Sequence, residues 1–338
     1  MELSVLPARR PELDPAPSEG RCLAGTNPPL RLFEVPVPAN LRRFGESIRA
    51  SALGDPKRPS IVVLGGISAD CYPGIRPDGS TGWWPGLVGQ NGAIDPERHY
   101  IIGVEFAADD TGSTAPTTFD QAQVLAAALD VIGIDQPCTI VGASYGGMVA
   151  LALAEREPER IAQLIIVSAG AEPHPAATAA RELQRRVVAL GIECGRGGQA
   201  LAIARGMAML TYRTPAEFER RFDGGIDDFR PEVSSAPGAY LRARGEAFLS
   251  VMSPGRFLSL SASIDRHRVN PAAITAPCLL IGAESDQLVN PDQMRGLSRA
   301  LSGTCELHLL DSLFGHDMFL KESERIGGIV ATVLGSRQ

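Results

Sequence analysis

The stretch Cys138–Gly147, CTIVGASYGG, decides the fold. It begins with a short run of apolar and β-branched residues, which is typical of a buried strand. The run turns sharply at GASYG and continues as MVALALAEREPER, which has the apolar spacing of a helix. A strand that leads through G-x-S-x-G into a helix is the context of a nucleophile elbow. We therefore predict that Ser144 is a nucleophile raised on a tight turn.

The glycines around Ser144 fit this prediction for a steric reason. A side chain two residues before or after such a serine would collide with the neighbouring strand or helix, so Gly142 and Gly146 suit these positions. The turn also leaves the first N–H groups of the helix free to face an oxyanion. Taken alone, the motif also fits an ordinary glycine-rich connection between a strand and a helix.

The elbow lies within a regular alternation of strand-like and helix-like segments. Apolar runs typical of strands begin at Leu30, Ser60, His99, Ile161, Ala276 and Cys305, and amphipathic helical patterns begin at Thr118 and Ser323. This alternation predicts an α/β fold with a mostly parallel sheet flanked by helices.

The rhythm changes between the strand at Ile161 and the strand at Ala276. From about residue 175 to 265 the sequence has helical patterns with polar breaks and no clear strand. A helical block inserted between strands of a sheet is the expected form of a cap over a site. We predict an extended lead-in over 1–27, a core formed by 28–172 and 268–338, and a helical cap over 173–267.

Composition excludes several classes of protein. The chain has 338 residues and a net charge of -7 without a long basic block, so we expect no nucleic-acid partner. It contains no apolar run of the roughly 18 residues that a membrane span requires, so we expect no membrane association. The six cysteines are scattered without a C-x-x-C pair, which favours reduced thiols in a cytoplasmic protein over a disulfide or metal framework.

A serine nucleophile needs a base and an acid that orients it. His316, in SLFGHD, lies in the connection between the last predicted strand and the last helix, which returns to the edge of the sheet where the elbow lies. The acid is expected after the penultimate strand, where Glu284 and Asp286 both occur. We prefer Asp286, because it sits where the loop turns back over the sheet. The order Ser144, Asp286, His316 is that of an α/β-hydrolase.

The oxyanion of an acyl-transfer reaction needs two N–H donors. We predict the backbone N–H of Tyr145, directly after the nucleophile, and that of Ile67 in the segment GGISA after the strand at Ser60. A simple tight turn is the alternative explanation of that glycine pair.

Several motifs, taken together, resemble one family. They are GWW at 82–84, Gly89, AID at 93–95, Tyr100, GASYGGM, ALAIARGMAMLTYRT and GHDMFL. This combination is similar to the homoserine O-acyltransferases, which are α/β-hydrolase-fold enzymes of methionine biosynthesis, and the resemblance extends from about residue 28 to 335. It implies a ping-pong reaction in which Ser144 takes an acyl group from acyl-CoA and passes it to the hydroxyl of an amino acid. We expect a homodimer with acyl-CoA as co-substrate and no bound cofactor or metal.

The resemblance also assigns residues that bind the amino acid. It implies that Arg205 binds the carboxylate, that Asp317 holds the ammonium group, and that Tyr212 lines the acceptor pocket. A cap-surface arginine and a helix N-cap aspartate are the alternatives for the first two.

Two departures from the commoner family pattern leave the substrates open. Tyr145 stands where a methionine more often follows the serine, and GGISA replaces a segment that usually begins with histidine. The GGISA form resembles the succinyl-CoA branch, which favours succinyl over acetyl transfer, and Arg76 is a candidate cation for the succinyl carboxylate. L-serine is an alternative acceptor, since a pocket discriminates weakly against one methylene. An esterase and a non-catalytic binding module remain alternatives on the same fold.

Overall fold

The computed structural model describes residues 21–22, 28–222 and 235–335. In this part of the chain, strands join into a single nine-stranded sheet in the order β1-β2-β3-β5-β4-β6-β7-β8-β9. The strands are β1 (Arg21–Cys22), β2 (Leu30–Pro36), β3 (Ser47–Leu53), β4 (Ser60–Leu64), β5 (Tyr100–Val104), β6 (Cys138–Ala143), β7 (Ile161–Val167), β8 (Cys278–Ala283) and β9 (Cys305–Leu310). Antiparallel pairs join β1 to β2, β2 to β3 and β3 to β5. Strands β4 to β9 pair with one another in parallel.

The topology of the sheet places the elbow at its centre. The chain passes from β4 to β5 on one side and then returns to add β6 on the other side of β4. Such a reversal of strand order opens a crevice at the carboxyl ends of the two central strands. Leu64, the last residue of β4, pairs in register with Gly142 of β6, so the loops that carry Ile67 and Ser144 start side by side.

Helices cover both faces of the sheet. They are α1 (Thr118–Ile132), α2 (Tyr145–Arg156), α3 (Pro175–Glu193), α4 (Gly197–Tyr212), α5 (Pro215–Arg221), α6 (Ala236–Phe248), α7 (Pro254–Asp265), α8 (Pro291–Ala300), α9 (Met318–Lys321) and α10 (Ser323–Gly335). Successive side chains of a strand point to opposite faces, and β4 shows this directly. Val62 and Leu64 pack in the core under α1 and α2, whereas Ile61 and Val63 pack in the core under α10.

The predicted cap region is helical where the structure describes it. Helices α3 to α7 follow β7 and precede β8 along the chain, and α3 and α4 pack against each other, as do α4 and α6. The part of the predicted cap between residues 223 and 234 lies outside the described residues.

The α/β-hydrolase fold with a mostly parallel sheet is confirmed. Within the predicted extended lead-in, Arg21 and Cys22 pair antiparallel with β2. Residues 1–20 and 23–27 of that lead-in lie outside the described residues. Helix α8 was not among the predicted elements. Its start is set by Asn290, whose side chain caps Gln293 N–H, and by Pro291 at the first helical position.

Two negative findings concern the described residues alone. No helix among them is both long and apolar enough to cross a membrane. Nor do their histidine, cysteine, aspartate and glutamate side chains form a group of three that could hold a metal ion.

Candidate active site

Ser144 occupies a strained turn between β6 and α2. Its φ and ψ of 53° and -119° lie outside the ordinary regions for a residue with a side chain. Such a backbone conformation costs roughly 1–3 kcal/mol, which contacts with the surrounding structure must offset. A Cβ atom on Gly142 would lie 2.6 Å from the carbonyl oxygen of Gly146, and one on Gly146 would lie 2.5 Å from the backbone of Leu64. The two glycines are therefore required by close approach of the strand and helix, as the sequence predicted.

The structure brings Ser144 together with the predicted base and acid. His316 Nε2 lies 2.8 Å from Ser144 Oγ, and His316 Nδ1 lies 2.8 Å from Asp286 Oδ2. His316 and Asp286 are buried, whereas Ser144 is partly exposed. With Nδ1–H donating to Asp286, Nε2 is free to accept the proton of Ser144. This is the geometry of a Ser-His-Asp triad.

The loop after β8 fixes Asp286 in place. Its Oδ1 accepts hydrogen bonds from the N–H groups of Leu288 and Val289, at 2.8 and 3.0 Å, which leaves Oδ2 for His316. Glu284, the alternative acid, instead forms an exposed ion pair with Arg295 at 2.9 Å.

The environment of His316 favours its protonated form. Burial lowers the pKa of the imidazole, but the charge and the hydrogen bond of Asp286, aided by the charge of Asp317, outweigh this and raise the pKa above its usual value. The triad therefore stabilises the imidazolium that forms when Ser144 gives up its proton.

The remaining histidines have other partners. His267 is buried between Thr118 Oγ1 and the carbonyl of Gly170, at 2.9 and 3.0 Å, and burial lowers its pKa to about 4. His99 contacts the carbonyl of Asp95, and His308 lies 2.7 Å from Glu306. The side chain of His174 caps α3 by accepting from Ala176 N–H. Since none of the four bonds to Ser144, His316 is the base that the geometry selects.

The predicted oxyanion donors lie beside the nucleophile. Ile67 and Tyr145 line the same cavity as Ser144, and this cavity has a volume of about 150 Å³. In the described part of the chain, neither backbone N–H has a protein acceptor. Both are therefore free to bind the oxygen of a carbonyl under attack.

The side chain of Tyr145 ties the elbow to the cap. Its hydroxyl lies 2.5 Å from Ser263 Oγ on α7, and its ring packs edge-on against Phe106 at 4.8 Å between centroids. The side chain is buried, and that burial raises its pKa well above the usual range. Tyr145 therefore has a structural side chain and a backbone N–H that faces the site.

Arg205 and Asp317 both line the cavity at Ser144. The Arg205 guanidinium lies over the rings of Tyr212 and Phe248, at 5.2 and 4.8 Å from their centroids. Among the described residues no carboxylate pairs with it. Arg205 is thus a cation that two aromatic rings orient and that remains available to an anion in the cavity.

Asp317 is held by a residue that the sequence analysis did not identify. Its Oδ2 accepts a hydrogen bond of 3.0 Å from Nε of Arg213, which also pairs with Glu217. Asp317 precedes α9, but its side chain makes no cap hydrogen bond, so the N-cap alternative does not apply. The four-residue spacing of Arg213 and Glu217 was the signal that could have indicated their pairing on a helical turn.

The two remaining predicted residues differ in their position. The ring of Tyr212 lies 5.7 Å from that of His316, and Tyr212 lines the cavity. Arg76 does not line that cavity. It pairs with Asp70 at 2.9 Å and lies in an adjoining groove that also contacts Ile67.

A second, smaller cavity of about 40 Å³ adjoins the triad. It shares four lining residues with the first cavity: Ser144, Tyr212, Ile264 and His316. Its polar lining includes Arg181 and Gln184 of α3, which the sequence analysis did not single out.

The fold and the triad define a serine acyl-transfer enzyme of the α/β-hydrolase class. Residues 40–323 match the model of the alpha/beta hydrolase fold family. The chain is 38% identical to a homoserine O-succinyltransferase of Xanthomonas campestris pv. campestris, over 91% of this chain and 85% of that protein. The chain belongs to the homoserine O-acyltransferase family.

One further relative and one solved structure are similar to the chain. A serine O-succinyltransferase of Litchfieldella anticariensis is 28% identical, over 90% of this chain and 98% of that protein. The crystal structure of a homoserine O-acetyltransferase from Bacillus anthracis superposes with a TM-score of 0.78, covering 90% of this chain and 96% of its own, at 14% identity. At that identity the likeness supports the fold alone.

Proposed function

We propose that this protein transfers an acyl group from acyl-CoA to the side-chain hydroxyl of L-homoserine, as a step of methionine biosynthesis. The observation that carries the proposal is the position of Ser144. It hydrogen-bonds to His316 at 2.8 Å and faces a cavity lined by a cation, Arg205, and by a carboxylate, Asp317. No carboxylate of the described residues pairs with Arg205. An amino-acid acceptor offers the complementary pair of charges.

The first half-reaction loads the enzyme. His316 Nε2 accepts the proton of Ser144 as Oγ attacks the thioester carbonyl, and the N–H groups of Ile67 and Tyr145 bind the oxyanion. The carbon–sulfur bond breaks as His316 returns the proton to the departing thiolate. Asp286 keeps the imidazole oriented and stabilises its charged form.

The second half-reaction reverses these roles. The acceptor hydroxyl loses its proton to His316 and attacks the acyl-Ser144 carbonyl, and the bond to Ser144 Oγ breaks as His316 protonates that oxygen. Arg205 binds the amino-acid carboxylate, Asp317 binds the ammonium group, and Tyr212 forms the wall between them and His316.

We assign residues 28–172 and 268–338 to the catalytic core and residues 173–267 to a cap domain. Arg205 comes from cap helix α4, whereas the triad comes from the core. Water hydrolyses an acyl-enzyme, so a cap that restricts its access favours transfer over hydrolysis.

Succinyl-CoA is the donor that we favour over acetyl-CoA. The GGISA segment and the 38% identity to a homoserine O-succinyltransferase support this choice. For the acceptor, L-serine is the alternative, because it lacks one methylene relative to homoserine and because a relative of 28% identity is a serine O-succinyltransferase.

We further propose a cytoplasmic homodimer. On α3 and α4 the cap exposes two apolar stripes at spacings of four and three residues, which suit packing against a second pair of helices. Leu183 and Leu190 on α3 and Ile203 and Leu210 on α4 are exposed, and Val187 and Met207 between them are half-buried. Sedimentation analysis of the wild type and of Leu190→Glu tests the dimer, which the proposal expects to dissociate in the variant. A wild-type monomer at assay concentration would contradict it.

A matrix assay tests the reaction. Acetyl-CoA and succinyl-CoA are each combined with L-homoserine and with L-serine, and thiol release and O-acylated products are measured. We expect acceptor-dependent thiol release with succinyl-CoA and L-homoserine, and its loss in Ser144→Ala. Thiol release that is independent of any amino acid would indicate an esterase instead, and full activity of Ser144→Ala would refute the proposed mechanism.

A further inference from the structure

The smaller cavity beside the triad is mostly apolar, but a polar group lies at each of two positions on α3. Its apolar walls include Met148, Ala177, Ala180, Ile264, Leu288 and Val289. Arg181 and Gln184 add a guanidinium and an amide to this lining. Because Ser144 and His316 lie in the lining too, anything bound there lies next to the reacting oxygen.

The positive charge of Arg181 is only partly balanced by its ion-pair partner, and one of its nitrogens has no acceptor among the described residues. It pairs with Asp265 at 2.6 Å, but Asp265 also pairs with Arg185 at 2.5 Å, so one carboxylate serves two guanidinium groups. Nε and Nη2 of Arg181 both contact Asp265 Oδ1. In the described part of the chain, Nη1 of Arg181 has no acceptor. The cluster therefore carries a surplus positive charge at the cavity.

Gln184 points to a ligand independently of that charge. Its side chain is 3% exposed, and it lines the cavity. No protein atom among the described residues hydrogen-bonds to its amide. Gln184 is not among the fully enclosed polar atoms that lack a partner in the described part of the chain, so its amide keeps access to the cavity. A polar group bound in the cavity can therefore hydrogen-bond to it.

We propose that this cavity binds the tail of the acyl group and that Arg181 pairs with a carboxylate at the end of that tail, making the enzyme selective for a short dicarboxylic acyl donor. The inference rests on the proposed acyl transfer, and it names a specificity residue for that reaction. Gln184 donates the second hydrogen bond to the carboxylate. The methylene groups of the tail pack against the apolar walls.

The size of the cavity fits such a tail. Its volume of about 40 Å³ has room for roughly three water molecules. Two methylene groups and a carboxylate occupy about the volume of that many water molecules. The arrangement separates the two substrates, because the acyl tail lies on the Arg181 side of Ser144, whereas the amino acid lies on the side of Arg205 and Asp317.

The charge of Arg181 also acts on the catalytic base. It lowers the pKa of His316, whereas Asp286 and Asp317 raise it. This indicates that Arg181 lies within electrostatic range of the reacting groups.

The test compares donors of equal length that differ in terminal charge. We would measure kcat/KM of the full-length enzyme for succinyl-CoA and butyryl-CoA, with saturating L-homoserine, in the wild type, Arg181→Gln, Arg181→Lys and Arg185→Gln. Arg185 is a matched control, because it lies on the same helix and shares Asp265 but does not line the cavity. Each single variant leaves Asp265 with one arginine partner.

We expect Arg181→Gln to lower kcat/KM for succinyl-CoA by about 10- to 100-fold, the range that follows from losing a hydrogen bond between charged groups. Turnover of butyryl-CoA should change less than about threefold, which also shows that the variant folds. Arg181→Lys should retain part of the preference, and Arg185→Gln should retain all of it.

Three results would overturn this assignment. They are an equal effect of Arg181→Gln on both donors, loss of the preference in Arg185→Gln, or a wild type that does not prefer succinyl-CoA to butyryl-CoA. Loss of the preference in Arg76→Gln with Arg181→Gln unaffected would move the role to Arg76. If no acyl-CoA gave acceptor-dependent thiol release in the wild type, the proposed function itself would fail, and that outcome is distinct from these.

Discussion

Replacing Arg205 separates the two half-reactions. Its guanidinium lies over Tyr212 and Phe248, at 5.2 and 4.8 Å, and within the described residues it has no carboxylate partner. If it binds the amino-acid carboxylate, Arg205→Gln removes hydrogen bonds between charged groups, which contribute about 1.5–3 kcal/mol. At 1.4 kcal/mol per factor of ten, the acceptor KM should rise by about 10- to 100-fold. Loading of Ser144 does not involve this carboxylate, so its rate should stay within about threefold of the wild-type rate.

Stopped-flow measurement of thiol release reports both steps. A burst without acceptor gives the rate of Ser144 acylation, and steady-state turnover against acceptor concentration gives KM. Arg205→Lys keeps the charge but loses the planar fork, so an intermediate KM is expected. Arg186, exposed on α3, provides a surface control in Arg186→Gln. An unchanged acceptor KM in Arg205→Gln, or an equal loss in the burst rate, would refute the assigned role.

Further predictions concern the triad, the fold and the elbow. Asp286→Asn should lower kcat by roughly 10³- to 10⁴-fold. Because Asp286 raises the pKa of His316, the acid limb of the pH–rate profile should also move to lower pH in this variant. An unmoved acid limb in stopped-flow pH profiles would contradict this. His267 has a pKa of about 4 in the folded protein against 6.5 when unperturbed, so the unfolded chain binds its proton first as the pH falls. The free energy of unfolding should therefore drop between about pH 6.5 and 4, by up to roughly 3 kcal/mol, and urea titrations of His267→Gln should show a shallower drop. In Gly146→Ala the new Cβ would lie 2.5 Å from the Leu64 backbone, so we expect about 1–3 kcal/mol of destabilisation by chemical denaturation together with lost acylation; wild-type behaviour would contradict the steric argument.

The sequence was sufficient where function depends on a local motif or on chain order. G-x-S-x-G between a strand and a helix located Ser144, and parallel strand order brought the loops of Asp286 and His316 to the same edge of the sheet. Helix α1 also follows from a local signal, since Thr117 and Asp120 form a capping box at its start.

Other features depend on contacts between distant segments. Arg181 and Asp265 are 84 residues apart in the chain, and Arg213 and Asp317 are 104 apart, so no local pattern pairs them. Helix α8 consists mostly of polar residues, and its narrow apolar face buries Met294 and Leu297. Tertiary packing, rather than propensity, makes that segment a helix.

In the proposed mechanism Ser144 carries the acyl group between the two substrates. Intact-protein and peptide mass spectrometry after rapid mixing with succinyl-CoA detects that intermediate. We expect one succinyl adduct on the peptide that contains Ser144, its disappearance when L-homoserine is added, and O-succinylhomoserine as the product. Formation of that product by Ser144→Ala at near the wild-type rate, or an adduct on another residue that turns over in place of Ser144, would contradict the claim.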